Sequence, residues 1–265
     1  MPSAKYHSIS RSPNSSIAAV EEFWEEHVHE WKIARSQPGT AEFFEEIEEY
    51  RYEKLDYLAD AIGFERFSGK TILDVGVGVG NDLSRFARAG GIVTGVDLTK
   101  KSIELATANF RFRKLDGKFY KMNAESLQFP DNYFDAVFCH TVLHFTPNPD
   151  AMAKEIHRVL KPGGEAILMT INRRSWMLFL HRVMKVELDY LDAPVYHTFS
   201  IPEFRELLGD FTNTKIVPHR FPVPTKIHKG LKATVYNSVF VGLFNAMPRS
   251  IVQPAGHHLI AYAIK

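Results

Sequence analysis

The sequence predicts an α/β protein whose core is a doubly wound, mostly parallel sheet. After Gly69, short apolar runs alternate with helical patterns, which is the order that a sheet with helices on both faces requires. Short apolar runs are typical of strands buried on both sides. The first run enters its helix through a glycine-rich turn. The predicted strands lie at 72–75, 92–96, 118–122, 134–139 and 165–171, with helices at 82–89, 100–111 and 149–160.

The residues before this pattern are predicted to form a helical cover. In the first helical pattern, apolar residues recur at steps of three and four, and they include Trp24 and Trp31. This face either packs on the core or also walls a ligand pocket, and the sequence leaves both roles open. The predicted segments are a disordered polar tail at 1–15 and a cover at 16–68, with helices at 17–35 and 39–62.

Two additions interrupt the elements after the fifth strand, and such additions often carry specificity. The second has an apolar stripe from Leu231 to Met247. A helix that is apolar nearly all round favours burial, so we expect a lid over the site or a dimer contact. Docking to a membrane surface is a third reading, because lysines precede the stripe. The predicted features are a turn at 161–164, additions at 172–200 and 222–256, a helix at 201–208, and strands at 214–221 and 258–264.

Composition indicates an ordinary globular chain. Its 265 residues are 45% hydrophobic and 24% charged, with a formal net charge of +1, so one principal domain with appendages is expected. No apolar run approaches the roughly 20 residues of a spanning helix, and the N-terminus lacks the apolar core of a secretion signal. We therefore expect a cytoplasmic protein. Cys139 is the only cysteine, which excludes an intramolecular disulfide and a cysteine-based metal cluster.

Charge is unevenly distributed along the chain. Carboxylates dominate residues 21–60, and basic residues accumulate in the additions. If these cations line a substrate mouth, they favour an acceptor with a carboxylate, phosphate or phenolate group. If they only compensate the acidic helices, they say nothing of the acceptor, and its charge stays open. The basic residues are Arg173, Arg174, Arg182, Lys185, Arg220, Lys226, Lys229 and Lys232.

The glycine-rich turn indicates a nucleotide-type cofactor. Glycines permit the tight turn and leave bare backbone, and the following helix directs unpaired amides at an anionic group. The spacing does not match the dinucleotide fingerprint, whose third glycine would fall at Asn81. Asp97 ends the second strand, where its carboxylate can accept both hydroxyl protons of a ribose.

Four further motifs follow in order: NAESLQF at 123–129, FD at 134–135, LH at 143–144 and LKPGG at 160–164. With the glycine turn, residues 70–172 resemble a class I S-adenosylmethionine-dependent methyltransferase. The closest likeness is to the small-molecule branch that includes the ubiquinone and menaquinone C-methyltransferases. The resemblance implies a Rossmann-like domain over 69–265, with seven strands and the last one antiparallel between its two predecessors. It also implies S-adenosylmethionine as cofactor.

The resemblance also implies roles for individual residues. Asn123 stands where the family usually has an aspartate that receives the adenine amino group, and its amide oxygen can still accept that bond. Arg51 could reach the cofactor carboxylate bidentately, or form a surface ion pair with Glu48 or Glu53. The implied cofactor residues are Asp74, Gly76, Gly78 and Gly80 at the amino-acid end, Asp97 at the ribose, Leu98, Asn123, Ala124 and Glu125 at the adenine, and His140 near the sulfonium.

A methyl sulfonium is already activated, so the protein needs chiefly to position a nucleophile, exclude water and, for some acceptors, remove a proton. His144 is the first candidate base and His140 the second, although a histidine in such a loop often only bonds the backbone. Tyr52 is a weaker candidate. Tyr196 and His197, with Trp24 and Trp31, are candidates for the substrate pocket, and no metal is expected because the region offers only Asn148 and Asp150.

The leading prediction is transfer of a methyl group to an O, C or N atom of a small organic molecule, with aromatic, quinone-like and natural-product acceptors favoured. A non-catalytic cofactor-binding partner subunit is the alternative. A nucleic-acid methyltransferase is disfavoured, because CHTV at 139–142 stands where such enzymes have an acidic or amide residue, two prolines and an aromatic. An NAD-linked oxidoreductase is disfavoured by Asn81. No nucleic-acid partner is expected, and either a monomer or a homodimer is compatible with the sequence.

Overall fold

The computed structural model describes residues 6–9, 15–28, 31–185, 188–223 and 234–265. A seven-stranded sheet forms its centre, in the order β4-β3-β2-β5-β6-β9-β8. The pairs from β4 to β6 are parallel, and β9 runs antiparallel between β6 and β8. The predicted Rossmann-like sheet is thus confirmed. Its strands are β2 (Thr71–Val75), β3 (Ile92–Asp97), β4 (Lys118–Lys121), β5 (Phe134–Cys139), β6 (Leu160–Ile171), β8 (Thr212–His219) and β9 (His258–Ile264).

The central strands are buried on both faces, because their side chains alternate between two core clusters. On β2, Leu73 and Val75 join one cluster, and Ile72 joins the other. The first cluster includes Ile156 and the second includes Phe86, so helices from opposite faces complete both cores. The carboxyl ends of β2, β3 and β5 are thereby fixed at one edge of a packed sheet.

Most helices begin at a side chain that accepts a backbone N–H. Ser16, Thr40, Thr99, Asn148 and Ser175 cap their helices in this way, and Ser200 forms a capping box with Glu203. These caps define the starts that the sequence suggests. The helices are α1 (Ile17–Glu26), α2 (Ala41–Lys54), α3 (Leu58–Ile62), α4 (Asn81–Arg88), α5 (Lys100–Arg113), α6 (Pro149–Val159), α7 (Trp176–Met184) and α8 (Ile201–Leu207).

The N-terminal cover is more broken than predicted. The pattern at 17–35 becomes α1 and a 3-10 turn at Trp31–Ile33, and the pattern at 39–62 becomes α2 and α3. Residues 6–9 also differ from the predicted disordered tail, since β1 (His7–Ser8) pairs antiparallel with β7 (His197–Thr198). Tyr6 is buried in the first core cluster and donates to the Asp150 carboxylate at 3.0 Å. One buried aromatic side chain therefore anchors a segment whose composition is polar.

The turn predicted at 161–164 lies within a longer β6. The strand begins at Leu160, its pairing with β5 shifts register between Phe134 and Ala136, and Gly163 has a positive φ of 76°. A register irregularity accommodates the glycines without ending the ladder. The prediction of a turn that precedes a strand at 165–171 is therefore wrong in its boundary.

The second addition is only partly described, because 224–233 lie outside the described residues. The helical part from residue 234 contains a π-helical turn at Tyr236–Phe240, continues as Val241–Ala246 and is followed by a short helix at Arg249–Val252. Trp176 and Leu180 of α7 pack against Phe244, so the two additions share a small core. Within the described ranges, each helix is too short or too polar to traverse a bilayer.

Candidate functional site

Two adjoining cavities lie at the carboxyl edge of the sheet. The first has an empty volume of about 810 Å³, counted with its opening, and lies between the ends of β2 and β3, the segment after β4, and α1. The second, of about 520 Å³, lies among α2, the loop after β5, α7 and the start of β9. Thr141 and Phe145 line both. This is the crevice where open α/β sheets bind ligands, beside the point at which the strand order reverses.

The glycine turn forms one wall of the first cavity with bare backbone. A Cβ on Gly78 would meet nothing within 4 Å, and one on Gly76 would meet a Val142 methyl at 2.0 Å. Both glycines have positive φ and line the cavity. Gly80 does not line it: Gly80 caps α4, where a Cβ would press on Ala106 at 3.3 Å. Two of the three predicted glycines thus face the cavity, and the third has a packing role.

Asp97 is held at the cavity with its carboxylate oriented by three donors. Its Oδ2 accepts the Gly78 N–H at 3.0 Å, and its Oδ1 accepts the Thr99 N–H at 3.0 Å and the Thr99 hydroxyl at 2.9 Å. Burial raises its pKa, and these hydrogen bonds oppose the rise. A carboxylate has further lone pairs, so Asp97 can still accept bonds from a vicinal diol. Leu98 lines the cavity next to it.

The segment after β4 supplies a third wall. Asn123 and Ala124 line the first cavity, and the Asn123 Oδ1 accepts the Glu125 N–H at 2.9 Å. Glu125 does not line it, because its carboxylate accepts the Thr146 hydroxyl and the Asn148 N–H at 2.7 Å. Glu125 therefore anchors the loop after β5, in place of the cofactor role predicted for it.

Asp74 and Cys139 lie behind the cavities. Asp74 is 3% exposed, and burial raises its pKa well above the usual range, helped by Asp82 and Asp97 and opposed by Arg51. Burial likewise raises the pKa of the Cys139 thiol, which belongs to the first core cluster. Asp74 lines neither cavity, and its contact with the amino-acid end stays a prediction.

Arg51 forms a buried ion pair rather than the predicted ligand clamp. Its Nε donates to Asp82 Oδ1 at 2.8 Å and its Nη2 to Asp82 Oδ2 at 2.5 Å. Both side chains are 9% exposed, and Glu48 pairs with arginines other than Arg51. Because Asp82 occupies the fork of the guanidinium, the bidentate role predicted for Arg51 is wrong. Arg51 lines the second cavity instead of the first.

The same ion pair accounts for two predicted catalytic candidates. The Tyr52 hydroxyl donates to Asp82 Oδ1 at 2.9 Å, burial raises its pKa, and Tyr52 lines neither cavity. The Arg51 Nη2 lies 3.0 Å from His140 Nδ1. An arginine can only donate, so Nδ1 accepts and the ring proton sits on Nε2. His140 also lines neither cavity, and the structure therefore gives neither residue the position of a base.

His144 has the position that the sequence suggests. It lines the second cavity and is 2% exposed, with its ring 4.2 Å from the Phe145 ring and 5.6 Å from the Tyr196 ring, measured between centroids. Tyr196 lines the same cavity. His197 does not, although its backbone N–H donates to the His144 carbonyl at 2.7 Å. The β7 segment thus holds His144 in place through its main chain.

The two tryptophans of the cover have different roles. Trp24 lines the first cavity, and its ring lies 4.9 Å from both the Phe145 and the Tyr190 ring. Trp31 packs on Phe43 in a separate cluster, with the Lys101 ammonium 4.0 Å from its ring centroid. Trp24 walls a pocket and Trp31 does not, which resolves the two roles that the sequence left open.

A polar group lines the second cavity, and the sequence pointed to its arginine among the basic residues of the additions but not to the partners of that arginine. Arg220 Nη1 lies 3.2 Å from His258 Nε2, and His258 Nδ1 lies 2.5 Å from the Tyr57 hydroxyl. Because arginine only donates, Nε2 accepts and Nδ1–H donates to Tyr57. Burial lowers the pKa of His258 and of His257 well below the usual range, and the Arg220 charge lowers both further. The available signal was the pair of histidines at the start of the last strand, together with the arginine that directly follows the preceding strand.

Backbone strain concentrates at the second cavity. Among the described residues, seven other than glycine have a positive φ. Lys114 and Lys185 end helices, and Asn132 and Asn213 are of the type that tolerates this conformation. The remaining residues are Thr141, Tyr190 and Arg220, and all of them line the second cavity. Residues held in disfavoured backbone conformations cluster at ligand sites, so this cavity is a functional candidate.

Comparisons with known proteins agree with this geometry. Residues 73–168 match the family model described as "Methyltransferase domain". The chain is 32% identical over 162 residues to a ubiquinone biosynthesis O-methyltransferase of Dechloromonas aromatica, and 29% over 154 residues to that of Alkalilimnicola ehrlichii. The matches cover 60% and 56% of this chain, and 65% and 62% of those relatives, which is less than two thirds of their length.

Solved structures show the same fold. A possible histamine N-methyltransferase from Thermotoga maritima superposes with a TM-score of 0.55 at 22% identity, covering 89% of this chain and all of that one. The [4+2]-cyclase SpnF superposes with a TM-score of 0.57 at 19% identity, covering 97% and 98%. At such identities the likeness concerns architecture alone.

The fold, the glycine turn and the match of residues 73–168 to the methyltransferase-domain model agree with the predicted resemblance to S-adenosylmethionine-dependent methyltransferases. The cofactor that this resemblance implies is S-adenosylmethionine. The first cavity fits this molecule, because Gly78 leaves open space for close approach and Asp97 presents acceptor oxygens for a ribose.

Proposed function

We propose that this chain transfers the methyl group of S-adenosylmethionine to a nucleophilic atom of a small aromatic or quinone-like molecule held in the second cavity. The observation that carries the proposal is that Thr141 and Phe145 line both cavities, so that a methyl donor in the first would adjoin an acceptor in the second. When bound, the cofactor supplies an already activated methyl group.

The chain's own residues then position the two reactants and exclude water. Asp97 and the turn at Gly76 and Gly78 hold the nucleoside and the amino-acid portion, and Trp24 of α1 covers them. The walls of the second cavity combine Phe145, Ile171, Met177 and Leu188 with a few polar groups, as is typical of sites for small organic ligands. Proximity and orientation of this kind supply a large share of rate acceleration.

His144 is the group that we place at the acceptor as proton acceptor. It lines the second cavity close to Thr141 in the chain, whereas His140 is engaged by Arg51 at Nδ1. A neutral imidazole can take the proton of a phenol as its oxygen becomes methylated. The O-methyltransferase names of the relatives favour oxygen as the attacked atom over carbon or nitrogen.

The test offers the protein S-adenosylmethionine with separate panels of phenols, catechols, quinols, acids and amines. Formation of S-adenosylhomocysteine and of a methylated product, both followed by mass spectrometry, is the expected result for at least one phenolic acceptor. If the protein binds S-adenosylmethionine in calorimetry but consumes none of it with any panel, the chain is a non-catalytic cofactor-binding subunit and the proposal fails.

A further inference from the structure

We propose that Arg220 and His258 form an anion subsite in the second cavity, which selects acceptors that bear a carboxylate. This inference rests on the proposed function, because it assigns the acceptor to that cavity. Arg220 directly follows β8 and lines the second cavity. The subsite is thus separate from the Asp97 side of the first cavity.

Among the described residues that line the second cavity, one cation has no carboxylate partner. Arg51 is paired with Asp82, and the Lys54 ammonium lies 3.3 Å from the Asp189 carboxylate. Arg220 also lines the cavity, and within the described ranges no carboxylate pairs with it. An anionic group on the acceptor would therefore meet a positive charge that the wall itself does not neutralise.

His258 orients this cation without cancelling its charge. It accepts one guanidinium N–H at 3.2 Å, and its other ring nitrogen donates to Tyr57. Burial and then the nearby Arg220 charge lower the pKa of His258 well below its usual range, which favours the neutral ring. A guanidinium has five N–H donors in a planar fork, so Arg220 retains donors for a second partner, and a carboxylate matches that fork in shape.

The backbone around Arg220 is fixed at some conformational cost. Its φ is 58°, and its carbonyl accepts the Trp176 indole N–H at 2.8 Å and the His257 N–H at 3.2 Å. Those bonds come from α7 and from the residue that precedes β9. An arginine held in the left-handed region by two other segments is a positioned group rather than a solvated surface charge.

The apolar part of the wall strengthens the preference. Ile171, Met177 and Leu188 line the same cavity as Arg220, and an apolar wall lowers the local dielectric, which increases the attraction between opposite charges. A carboxylate on an aromatic ring would place its ring against these side chains and its charge on Arg220. The chemical class that fits is therefore an aromatic carboxylate with a nucleophilic substituent.

The experiment uses the intact protein saturated with S-adenosylhomocysteine and compares benzoate with benzamide by calorimetry. The two probes share size and shape and differ in charge. We expect benzoate to bind at least tenfold more tightly than benzamide to the wild type. In Arg220→Gln the ratio falls to about twofold or less, in Arg220→Lys it is intermediate, and in the exposed control Arg249→Gln it is unchanged.

Equal binding of the probes to the wild type, absence of benzoate binding at millimolar concentration, or a ratio that survives Arg220→Gln would overturn the subsite. Thermal unfolding shows whether each variant folds. If Arg220→Gln does not fold, the benzoate-to-benzamide affinity ratio of Arg220→Lys, which keeps the charge, tests the subsite. Transfer to neutral phenols without a benzoate preference leaves the proposed function intact and removes the subsite. A benzoate preference without transfer to any acceptor supports the subsite and contradicts the proposed function.

Discussion

At the residue scale, Asp97 joins the glycine turn to the first cavity. Its carboxylate is oriented by Gly78 and Thr99, so its remaining lone pairs point in set directions. The position follows from local rules, because the last residue of a buried parallel strand must emerge at the carboxyl edge. This is why Asp97 could be predicted from the sequence, together with Gly76 and Gly78.

We expect Asp97→Asn to lower the affinity for S-adenosylhomocysteine by about 10- to 100-fold. The substitution keeps the size of the side chain but removes a charged acceptor, and hydrogen bonds to charged groups contribute about 1.5–3 kcal/mol. Calorimetry measures the affinity, and the exposed Asp116→Asn serves as the control. An Asp97→Asn variant that binds like the wild type would remove Asp97 from the site.

We expect His144→Ala to lower kcat by about 100-fold or more, as removal of a general base does, while the affinity for S-adenosylhomocysteine changes little. The reason is that His144 lines the second cavity and not the first. The measurement is steady-state turnover across the pH range, and the control variant is His7→Ala, at an exposed histidine. Intact turnover at every pH would show that the base is another group.

At the element scale, the buried Arg51–Asp82 ion pair connects α2 of the cover to α4 after the glycine turn, beside the pairs of Glu48 with arginines of α4. Asp82 receives both Arg51 and Tyr52, and Arg51 also reaches His140. The sequence could not predict this pairing, because several glutamates lie closer to Arg51 along the chain. Only the packing of α2 on α4 brings Asp82 within reach, so the roles inferred for Arg51, Tyr52 and His140 failed together.

We expect Arg51→Met to lower the free energy of unfolding by about 3 kcal/mol, because it leaves the Asp82 carboxylate buried without its counter-charge. The double variant Arg51→Met with Asp82→Leu should recover part of that loss, since no uncompensated charge remains. Urea unfolding of both single variants and of the double variant measures the coupling. Strictly additive losses would mean that the pair contributes no specific stabilisation.

A second interaction between elements links β2, β5 and β6. Burial acts to raise the Asp135 pKa, but hydrogen bonds from Lys161 and from the Thr71 hydroxyl and N–H outweigh it and lower the pKa to about 2. The unfolded value is about 3.9, so the stabilisation is fully present above pH 4 and is lost as the pH falls towards 2.

We therefore expect Asp135→Asn to cost about 1–2 kcal/mol at pH 7 and less at pH 3, because the unfolded wild-type chain then binds a proton at Asp135 while the folded carboxylate stays mostly ionised. Urea unfolding at pH 7, 5 and 3 measures the difference between the two proteins. A cost that stays constant down to pH 3 would show that the hydrogen-bonded geometry, and not the charge, carries the effect.

At the scale of the whole molecule, the sheet could be predicted because alternating apolar runs and helical patterns indicate a doubly wound sheet, and the family resemblance implies the antiparallel last strand. The second cavity could not, since it joins groups from distant segments such as Arg51, Tyr190, Arg220 and His258. Arg220 and His258 meet only because β9 inserts between β6 and β8, which pairs His219 with His258. Their juxtaposition depends on topology and on no local motif.

The cover and the sheet should respond differently to the cofactor product. Helix α1 walls the first cavity with Val20 and Trp24, and it is tied to the domain by few polar contacts, such as those of the Glu25 carboxylate with the N–H groups of Lys100 and Lys101. A short helix held by few contacts opens locally more often than a central strand does. Ligand binding therefore has the most to stabilise at α1.

We expect S-adenosylhomocysteine at 100 times its Kd to stabilise the protein by about 2.7 kcal/mol, which raises Tm by several degrees, and NADH at the same concentration to have no effect. Amide hydrogen exchange should slow more over 15–28 than over the exposed surface of α8, because only the former closes the cavity. A rise in Tm with unchanged exchange over 15–28 would mean that α1 packs beside the cofactor without covering it, and that the wall of the first cavity is complete without the N-terminal helix.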